Sequence, residues 1–430
     1  MKKITLFFVL FFSIAGSAHA RIYVPIDQPS DKKLPIAITN LVGLDGGAGK
    51  FEKDIPEVIQ KDLENSAYFQ FIPPGAFLED GESRAITLET IPFDLWSAIE
   101  AQGLIKGGIS RKGDKLTVEL RLFDPFLKQL LVGKKYVGSV KDYRSIAHRF
   151  ADEVMLAMTG AKGPFNSKIT YTAITGGGRK AIYVMDYDGE NNYRITDTKT
   201  ISLGSKFSPD GSRIAFTSYK SGTPEIHMAN LGGGEMKQLT HNKQTNLTPA
   251  FSPDGGTIIF SSSVAGDPDI WIMNLAGKMI KQITHTMGVD ISPVYSPDGS
   301  RVLFSSERAG RLHVFTMNPD GSDNTRLTFV GQFNDTPTWS PDGQKLTFCG
   351  RDSGAFDIFT MNVDGSLIQR LTAGEGNNEH PSWSPDSRYI TFSSTRSGGP
   401  VIYMMRFDGA NPVRLSQGNG LLPWWGPNLK

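Results

Sequence analysis

Short runs with the two-residue period of β-strands dominate the chain from about residue 165 onward. Segments such as "RVLFSS" (301–306) and "KLTFCG" (345–350) are followed by a polar loop and a second run, for example "DIFTMN" (357–362). A tight turn and a third run come next. A segment such as "HPSWSPD" (380–386) then opens the following unit. The pattern predicts four short strands per unit, joined by hairpins.

The units repeat with a fixed step of 44 residues. The tripeptide Ser-Pro-Asp begins at Ser208, Ser252, Ser296, Ser340 and Ser384. A second mark keeps the same step at Thr196, Thr240, Thr284, Thr328, Thr372 and Ser416. Four strands in about 44 residues are typical of a β-propeller blade. A β-helix has shorter rungs, and helical repeats would show a period of 3.6 residues.

The Ser-Pro-Asp motif itself invites a catalytic or metal-binding interpretation, but its recurrence favours a structural one. Pro presets φ at the first corner of a turn, Asp accepts backbone N–H bonds and Gly permits positive φ. A catalytic site occurs once per chain. We therefore interpret the "SPDG" segments as strand-to-strand turns.

The two ends of the repeat region predict how the ring closes. The first copy, "FNSKITYTA" (165–173), lacks the aromatic-Ser-Pro strand before it, whereas "LLPWWGPN" (421–428) resembles that strand and has no blade after it. Joining the two completes a blade and removes exposed strand edges. The sequence thus predicts a six-bladed β-propeller over 163–430, closed by strands from both ends.

Residues 34–162 lack the repeat and predict an α/β domain. Helices are expected at 51–66, 92–103 and 143–160, the first with a Pro in its first turn. Strands are expected at 34–42, 104–110, 115–124 and 129–140.

The N-terminal residues predict export. Residues 1–20 combine Lys2 and Lys3, an apolar run and the small-residue pattern Ala18-His19-Ala20, which is typical of a secretory signal peptide cleaved after Ala20. A transmembrane anchor is the alternative, but about a dozen apolar residues are too few to span ~30 Å of hydrocarbon. The following polar segment, 21–33, is expected to be a flexible arm. No membrane insertion of the mature protein is expected.

Composition and motifs argue against several functions. The formal net charge of +1 gives no field for nucleic acid, and the single Cys349 rules out an intramolecular disulfide. No Gly-x-Ser-x-Gly elbow of an α/β-hydrolase is present. His241 and His285 occupy equivalent blade positions and suggest only a weak metal site. The segment from Asp186 to Gly189 resembles the start of a calcium loop, but a hairpin turn explains it better.

Variable residues directly precede the Pro of each channel-lining strand, at 245–248, 289–292, 333–336 and 377–380. These segments should lie together at one mouth of the channel. A surface for a specific partner can differ from blade to blade, unlike a structural turn. The acidic residues among them suit a basic or hydrogen-bonding partner loop, or a cation in the channel.

Taken together, the chain resembles the TolB family, the periplasmic components of the Tol–Pal system of Gram-negative bacteria. The resemblance rests on the signal peptide, the arm, the junction "YRSIAHRFADEVMLAMTGAKGPF" (143–165), the SPDG blades, the split blade and the Pro-Trp tail (423–427). It implies a non-enzymatic scaffold for envelope integrity and cell division. The implied partners are the lipoprotein Pal, TolA and other envelope proteins.

The resemblance also implies site residues. Pal would bind at the propeller mouth through Thr245, Thr248, Asp290, Ile291, Ser292, Asp335, Thr336, Glu379 and His380. TolA would bind the arm through Arg21, Ile22, Tyr23, Val24, Pro25, Ile26 and Asp27. No cofactor is required, and a calcium ion in the channel stays open. The alternatives are a secreted propeller that binds peptides or glycans, and an accessory domain of a hydrolase system.

Overall fold

The computed structural model describes residues 33–80, 83–352 and 354–429. The predicted signal peptide and the arm up to residue 32 lie outside these residues. Within the described part of the chain, no helix is both long enough and apolar enough to cross a membrane.

The first half of the fold is an α/β domain. Its elements are β1 (Leu34–Ile38), β2 (Val42–Gly43), α1 (Phe51–Asn65), β3 (Phe69–Phe71), α2 (Phe93–Ala98), β4 (Gly103–Lys112), β5 (Lys115–Asp124), β6 (Gln129–Ser139) and α3 (Tyr143–Thr159). The sheet runs in the order β3-β1-β4-β5-β6, and β2 pairs with β4. β1 is parallel to both of its neighbours, and the β4-β5-β6 meander is antiparallel.

Two details of this domain differ from the sequence prediction. Pro56 lies in the second turn of α1, where it cannot donate to the carbonyl of Glu52; the N–H of Leu41 donates to that carbonyl instead, at 2.8 Å. The helix expected at 92–103 ends already at Ala98. It stops because Glu100 adopts φ 61° and the chain then enters β4.

The second half of the fold is the propeller. Its strands are β7 (Ser167–Ile174), β8 (Lys180–Asp186), β9 (Tyr193–Arg194), β10 (Ser202–Phe207), β11 (Arg213–Ser218), β12 (Glu225–Asn230), β13 (Lys237–Gln238), β14 (Asn246–Phe251), β15 (Thr257–Ser262), β16 (Asp269–Asn274), β17 (Met279–Gln282), β18 (Asp290–Tyr295), β19 (Val302–Ser306), β20 (His313–Met317), β21 (Thr325–Arg326), β22 (Phe333–Trp339), β23 (Lys345–Arg351), β24 (Asp357–Asn362), β25 (Gln369–Arg370), β26 (Asn378–Trp383), β27 (Tyr389–Ser394), β28 (Val401–Arg406), β29 (Val413–Arg414) and β30 (Gly420–Asn428).

Among the described residues these strands form six four-stranded antiparallel sheets, one per blade, which confirms the predicted architecture. Five blades use consecutive strands. The remaining blade has the order β30-β7-β8-β9, so a C-terminal strand completes the first blade. The indole N–H of Trp425 donates to Ser167 Oγ at 2.7 Å across this junction.

The SPDG segments form the turns between the first and second strands of four blades, and Ser-Pro-Asp-Ser at 384–387 forms the same turn in a fifth. In the turn that follows β18, Ser296 Oγ donates to Asp298 Oδ1 at 2.6 Å and accepts from the N–H of Arg301 at 2.9 Å. Gly299 adopts φ 74°, which favours glycine. These hydrogen bonds hold the carboxylate over the turn and lower the pKa of Asp298 to about 2. The motif is architectural.

The two halves share one hydrophobic core. Ile55 of α1 and Phe150 of α3 belong to the same cluster as Tyr187, Tyr389 and Trp425 of the propeller. Tyr389 donates from its hydroxyl to the carbonyl of Asn65 at 2.9 Å. The α/β domain therefore packs on the SPDG end of the last and first blades, away from the opposite end of the channel.

Candidate functional site

Six inner strands surround the channel, and each is interrupted at the same level. These strands are β10, β14, β18, β22, β26 and β30, and the register of each shifts against its neighbour. At each shift one residue adopts a positive φ: Gly204 (65°), Thr248 (51°), Ser292 (56°), Thr336 (52°), His380 (58°) and Leu422 (53°). We call these six residues the mouth ring. The end of the channel at which the inner strands begin is called the mouth.

The mouth ring is strained at most of its positions. A β-branched residue such as Thr248 or Thr336 rarely adopts positive φ. A residue that precedes Pro is normally extended, yet Thr248 precedes Pro249. Such backbone strain costs of order 1–3 kcal/mol and concentrates at functional sites. Gly204 has no Cβ and adopts this conformation without strain. The strain therefore lies at the other positions of the ring.

The ring residues line one cavity of about 70 Å³ inside the channel. Thr248 Oγ1 accepts from the backbone N–H of Ser292 at 3.2 Å, which joins neighbouring blades. The hydroxyl of Thr336 is buried and has no partner among the described residues. The cavity thus offers hydroxyl groups and an imidazole to whatever enters from the mouth.

The structure brings four of the nine predicted mouth residues into this ring: Thr248, Ser292, Thr336 and His380. Asp335 and Glu379 come one residue earlier on β22 and β26 and are half-buried. Thr245 and Ile291 are also half-buried but do not line the cavity.

Asp290 differs from the sequence expectation of an acidic residue at the mouth surface. Its side chain is buried, and Oδ2 accepts from Arg308 at 3.0 Å and from Thr286 at 3.2 Å. The equivalent Asn246 and Asn378 are also buried, and Asn246 donates to Glu225. This position anchors each inner strand to its blade, so Asp290 does not contribute an exposed charge.

Burial controls the charges near the ring. Burial raises the pKa of Glu379, and the nearby carboxylate of Asp335 raises it further. Burial lowers the pKa of His380 to about 4, although Asp335 opposes that shift. The imidazole is therefore neutral at neutral pH.

Exposed apolar side chains lie in the loops before two of the inner strands, and sequence reasoning missed them. Met287 precedes β18 and is 92% exposed, while Phe329 and Val330 precede β22 and are 70% and 65% exposed. Their loops lead into inner strands, so they lie at the mouth end. Contiguous exposed apolar groups mark interaction surfaces. The signal in the sequence was an apolar pair inside an otherwise polar loop, "TFVGQ" (328–332).

The opposite end of the channel holds a larger cavity of about 440 Å³, which we call the SPDG funnel. Its aromatic lining consists of Phe207, Phe251, Tyr295, Trp339, Trp383, Trp424 and Trp425. Its prolines are Pro209, Pro253, Pro297, Pro341, Pro385 and Pro427. Trp339 and Trp383 are the last residues of β22 and β26, and both line the funnel. Trp271 instead packs in the core of its blade.

Potential metal ligands come together at one place in the described residues: Asp62, His148 and Asp188. His148 Nδ1 lies 2.7 Å from Asp62 Oδ2, and Arg144 forms an ion pair with Asp188. These groups already neutralise one another at the domain interface. The segment from Asp186 to Gly189 forms the turn between β8 and β9, as the hairpin interpretation expected.

Comparisons with known proteins agree with this architecture. Residues 156–353 and 330–428 match the family model described as TolB beta propeller domain. Residues 22–131 match the TolB amino-terminal domain. The crystal structure of TolB from Acinetobacter baumannii has a TM-score of 0.77 and 25% sequence identity, covering 93% of this chain and 98% of that one.

Curated relatives match over a shorter stretch. The Tol-Pal system protein TolB of Syntrophotalea carbinolica is 38% identical over 214 residues, which are 50% of this chain and 49% of that protein. The Tol-Pal system protein TolB of Cereibacter sphaeroides is 35% identical over 223 residues, 51% of this chain and 49% of that protein. The matched part thus spans about half the length of these relatives.

Proposed function

The chain belongs to the TolB family, and on that premise we propose that it is a non-enzymatic periplasmic scaffold of the Tol–Pal system. In this proposal the propeller mouth binds the lipoprotein Pal, and the N-terminal segment 21–33 binds TolA. The scaffold would couple the outer membrane to the rest of the envelope for integrity and for constriction during cell division.

The mouth ring is the main observation that supports the proposal for Pal. Strained residues such as Thr248 and Thr336 persist only where the surrounding fold holds them, and such strain concentrates at binding sites. Around the ring, Met287, Phe329 and Val330 expose apolar surface at the same end. A hydrogen-bonding centre within an apolar rim suits a partner loop that enters the channel, because the loop can bury apolar contacts while its polar groups meet the hydroxyls.

The α/β domain supports the proposal indirectly. It packs on the SPDG end of the propeller through Tyr389 and Asn65, and therefore leaves the mouth open to a partner. The TolA segment lies outside the described residues, so its support is the match of the TolB amino-terminal domain from residue 22.

A scaffold function also fits the chemistry of the mouth. The ring holds hydroxyl groups and His380, whose low pKa makes it a poor general base at neutral pH. Cys349 is buried, and burial raises the pKa of its thiol well above the usual range, which disfavours nucleophilic attack.

A channel-bound calcium ion is not part of the proposal. The ammonium group of Lys206 lies within the channel, where it lines both cavities. In its protonated form this lysine opposes the binding of a second cation at the same level.

Calorimetric titration of the purified chain with the soluble domain of Pal tests the proposal. Saturable binding is expected, and Thr336→Ala together with Phe329→Ser should weaken it because these changes remove a channel hydroxyl and rim contact. Gln344→Ala provides the matched control: Gln344 is exposed in the SPDG turn of the same blade, at the opposite end. Absence of binding, or equal weakening by the control, would refute Pal as the ligand of the mouth.

The arm is tested separately by deleting residues 21–33 and titrating TolA. Loss of TolA binding with retained Pal binding is expected. Equal loss of both partners would contradict the assignment of TolA to the arm.

A further inference from the structure

The SPDG funnel has a basic floor. Lys206 lines both the funnel and the smaller cavity behind it, and its Nζ lies 4.5 Å from the ring centroid of Trp424. In other blades the equivalent positions hold small residues such as Ala250 and Val294, which leaves space above the lysine. The lysine and Trp424 thus separate the two cavities and close the funnel.

The ammonium group of Lys206 has no hydrogen-bond acceptor and no carboxylate within ion-pair distance among the described residues. Burial lowers the pKa of this lysine to about 7, and the more distant Asp335 offsets only part of the shift. His380 is neutral at this pH. Burial and the carboxylate of Asp335 raise the pKa of Glu379, which disfavours its charged form. The floor of the funnel is therefore a lysine whose ammonium form has the ring of Trp424 as a partner but no carboxylate in the part of the chain that the structure describes.

Two tryptophans that line the funnel also carry indole N–H groups without partners. The indole N–H groups of Trp339 and Trp383 are buried and find no acceptor within the described parts of the chain, and Trp383 is only 5% exposed. Buried polar groups are normally paired, so each exception calls for an explanation. These two N–H groups, like that of Trp271 outside the funnel, are too deeply buried to reach the cavity. Lys206 is therefore the donor that favours a ligand with an acceptor group.

The walls determine the rest of the ligand. Aromatic rings and prolines favour an apolar or aromatic body, and a volume of about 440 Å³ lies within the range of small-ligand sites. None of the lining residues comes from the α/β domain, although Trp425 also belongs to the core that the domain shares with the propeller. Because the floor is closed, an extended chain can enter only by one end.

We propose that the SPDG funnel binds the free carboxyl terminus of a peptide that ends in an apolar or aromatic residue. The carboxylate accepts from Lys206 Nζ, and the terminal side chain packs against the aromatic rings and prolines that line the funnel. The site lies opposite the mouth and does not depend on the proposal for Pal.

The experiment uses the full-length mature chain and a pair of defined probes. These are N-acetyl-Gly-Pro-Phe with a free carboxylate and the same tripeptide as its C-terminal amide. Four of the six tryptophans of the chain line the funnel, so intrinsic fluorescence should report binding, and calorimetry gives the affinity. The acid should bind roughly tenfold or more tightly than the amide, because a charge-assisted hydrogen bond is lost in the amide.

Variants of the floor make the assignment specific. Lys206→Met should abolish the preference for the acid, whereas Lys206→Arg should keep it, which also guards against a folding defect in the first variant. Lys345→Met is the matched control, because Lys345 is a half-buried lysine of another blade that does not line the funnel. Acid binding should also weaken as the pH rises above 7 in the wild type. Equal affinity for acid and amide, no saturable signal with either probe, or an unchanged preference in Lys206→Met would overturn the proposal.

Discussion

His148 Nδ1 lies 2.7 Å from Oδ2 of Asp62. The two residues are 86 positions apart in the sequence, and their contact joins α1 to α3. The other oxygen of Asp62 accepts from the hydroxyl of Tyr187, in the first blade, at 2.7 Å. One fully buried carboxylate thus connects α1, α3 and the propeller. This arrangement makes the contact between the two halves of the protein specific as well as hydrophobic.

Removing this carboxylate should destabilise the whole protein. Asp62→Ala leaves the imidazole and the phenol without their shared partner in a buried site, and the expected loss in the free energy of unfolding is about 3–5 kcal/mol. Urea denaturation followed by circular dichroism measures it. Asp54→Ala on the same helix is the control, since its partner Lys50 is largely exposed and such a pair contributes less than about 1 kcal/mol. Similar losses in both variants would contradict a central role for Asp62.

A second buried carboxylate should make stability depend on pH. Burial raises the pKa of Asp152 to about 7, although the N–H groups of Asn166 and Phe165 donate to it. The pKa in the unfolded chain is about 3.9. Because the folded state holds the proton more tightly, this stabilisation is complete below pH ~4 and is lost as the pH rises through 7.

Urea midpoints at pH 5, 6, 7 and 8 check this prediction. The wild type should lose stability with rising pH, and Asp152→Asn should show a shallower slope between pH 5 and 7. His148 acts in the same direction at higher pH, because burial lowers its pKa but Asp62, Asp188 and Asp186 outweigh burial and raise it. The difference between wild type and variant therefore isolates Asp152. Identical slopes would show that Asp152 does not titrate in this range.

The closing strand gives a third prediction. Trp425 donates its indole N–H to Ser167 and its backbone N–H to Ser382 Oγ at 2.9 Å, so it joins the last blade to the first. Trp425→Ala should cost about 3–5 kcal/mol through loss of packing. Thermal unfolding measures the change, and Trp271→Phe in the core of a single blade is the control. A small effect of Trp425→Ala would mean that the stability of the propeller does not depend on this closure.

The repeat could be predicted from sequence because each SPDG turn requires particular side chains. Ser296 and Asp298 form a hydrogen bond, and Gly299 adopts positive φ. These residue types therefore identify the turn in the sequence. The same holds for α1, in which Ile55 and Leu63 are fully buried as their spacing predicts.

The mouth ring and the SPDG funnel could not be predicted in this way. Thr248, His380 and Leu422 share positive φ without sharing side-chain chemistry, because the register shift of the inner strand sets their conformation. Trp339 and Trp383 were visible as aromatic strand residues. A two-residue period, however, cannot distinguish a side chain that faces the channel from one that packs between blades.

Relieving the backbone strain of the mouth ring should make the protein more stable and weaken its binding of a partner. Thr336 adopts φ 52°, which costs a β-branched residue more than it costs Asn, whose side chain tolerates this conformation. Thr336→Asn should therefore raise the free energy of unfolding by about 0.5–1 kcal/mol. If the ring binds Pal, the same change should weaken that binding, because the hydroxyl and the shape of the cavity are altered.

Leu367→Asn separates the two effects. Leu367 also adopts φ 52°, but it is 76% exposed in the hairpin turn between β24 and β25, at the SPDG end of the blade. This variant should be stabilised to a similar extent while its affinity for Pal, measured by calorimetry, stays at the wild-type value. Stabilisation of both variants without weaker binding in Thr336→Asn would mean that the strain of the ring is architectural. Weaker binding in Thr336→Asn alone would place recognition at the mouth ring, since backbone relief by itself is common to both substitutions.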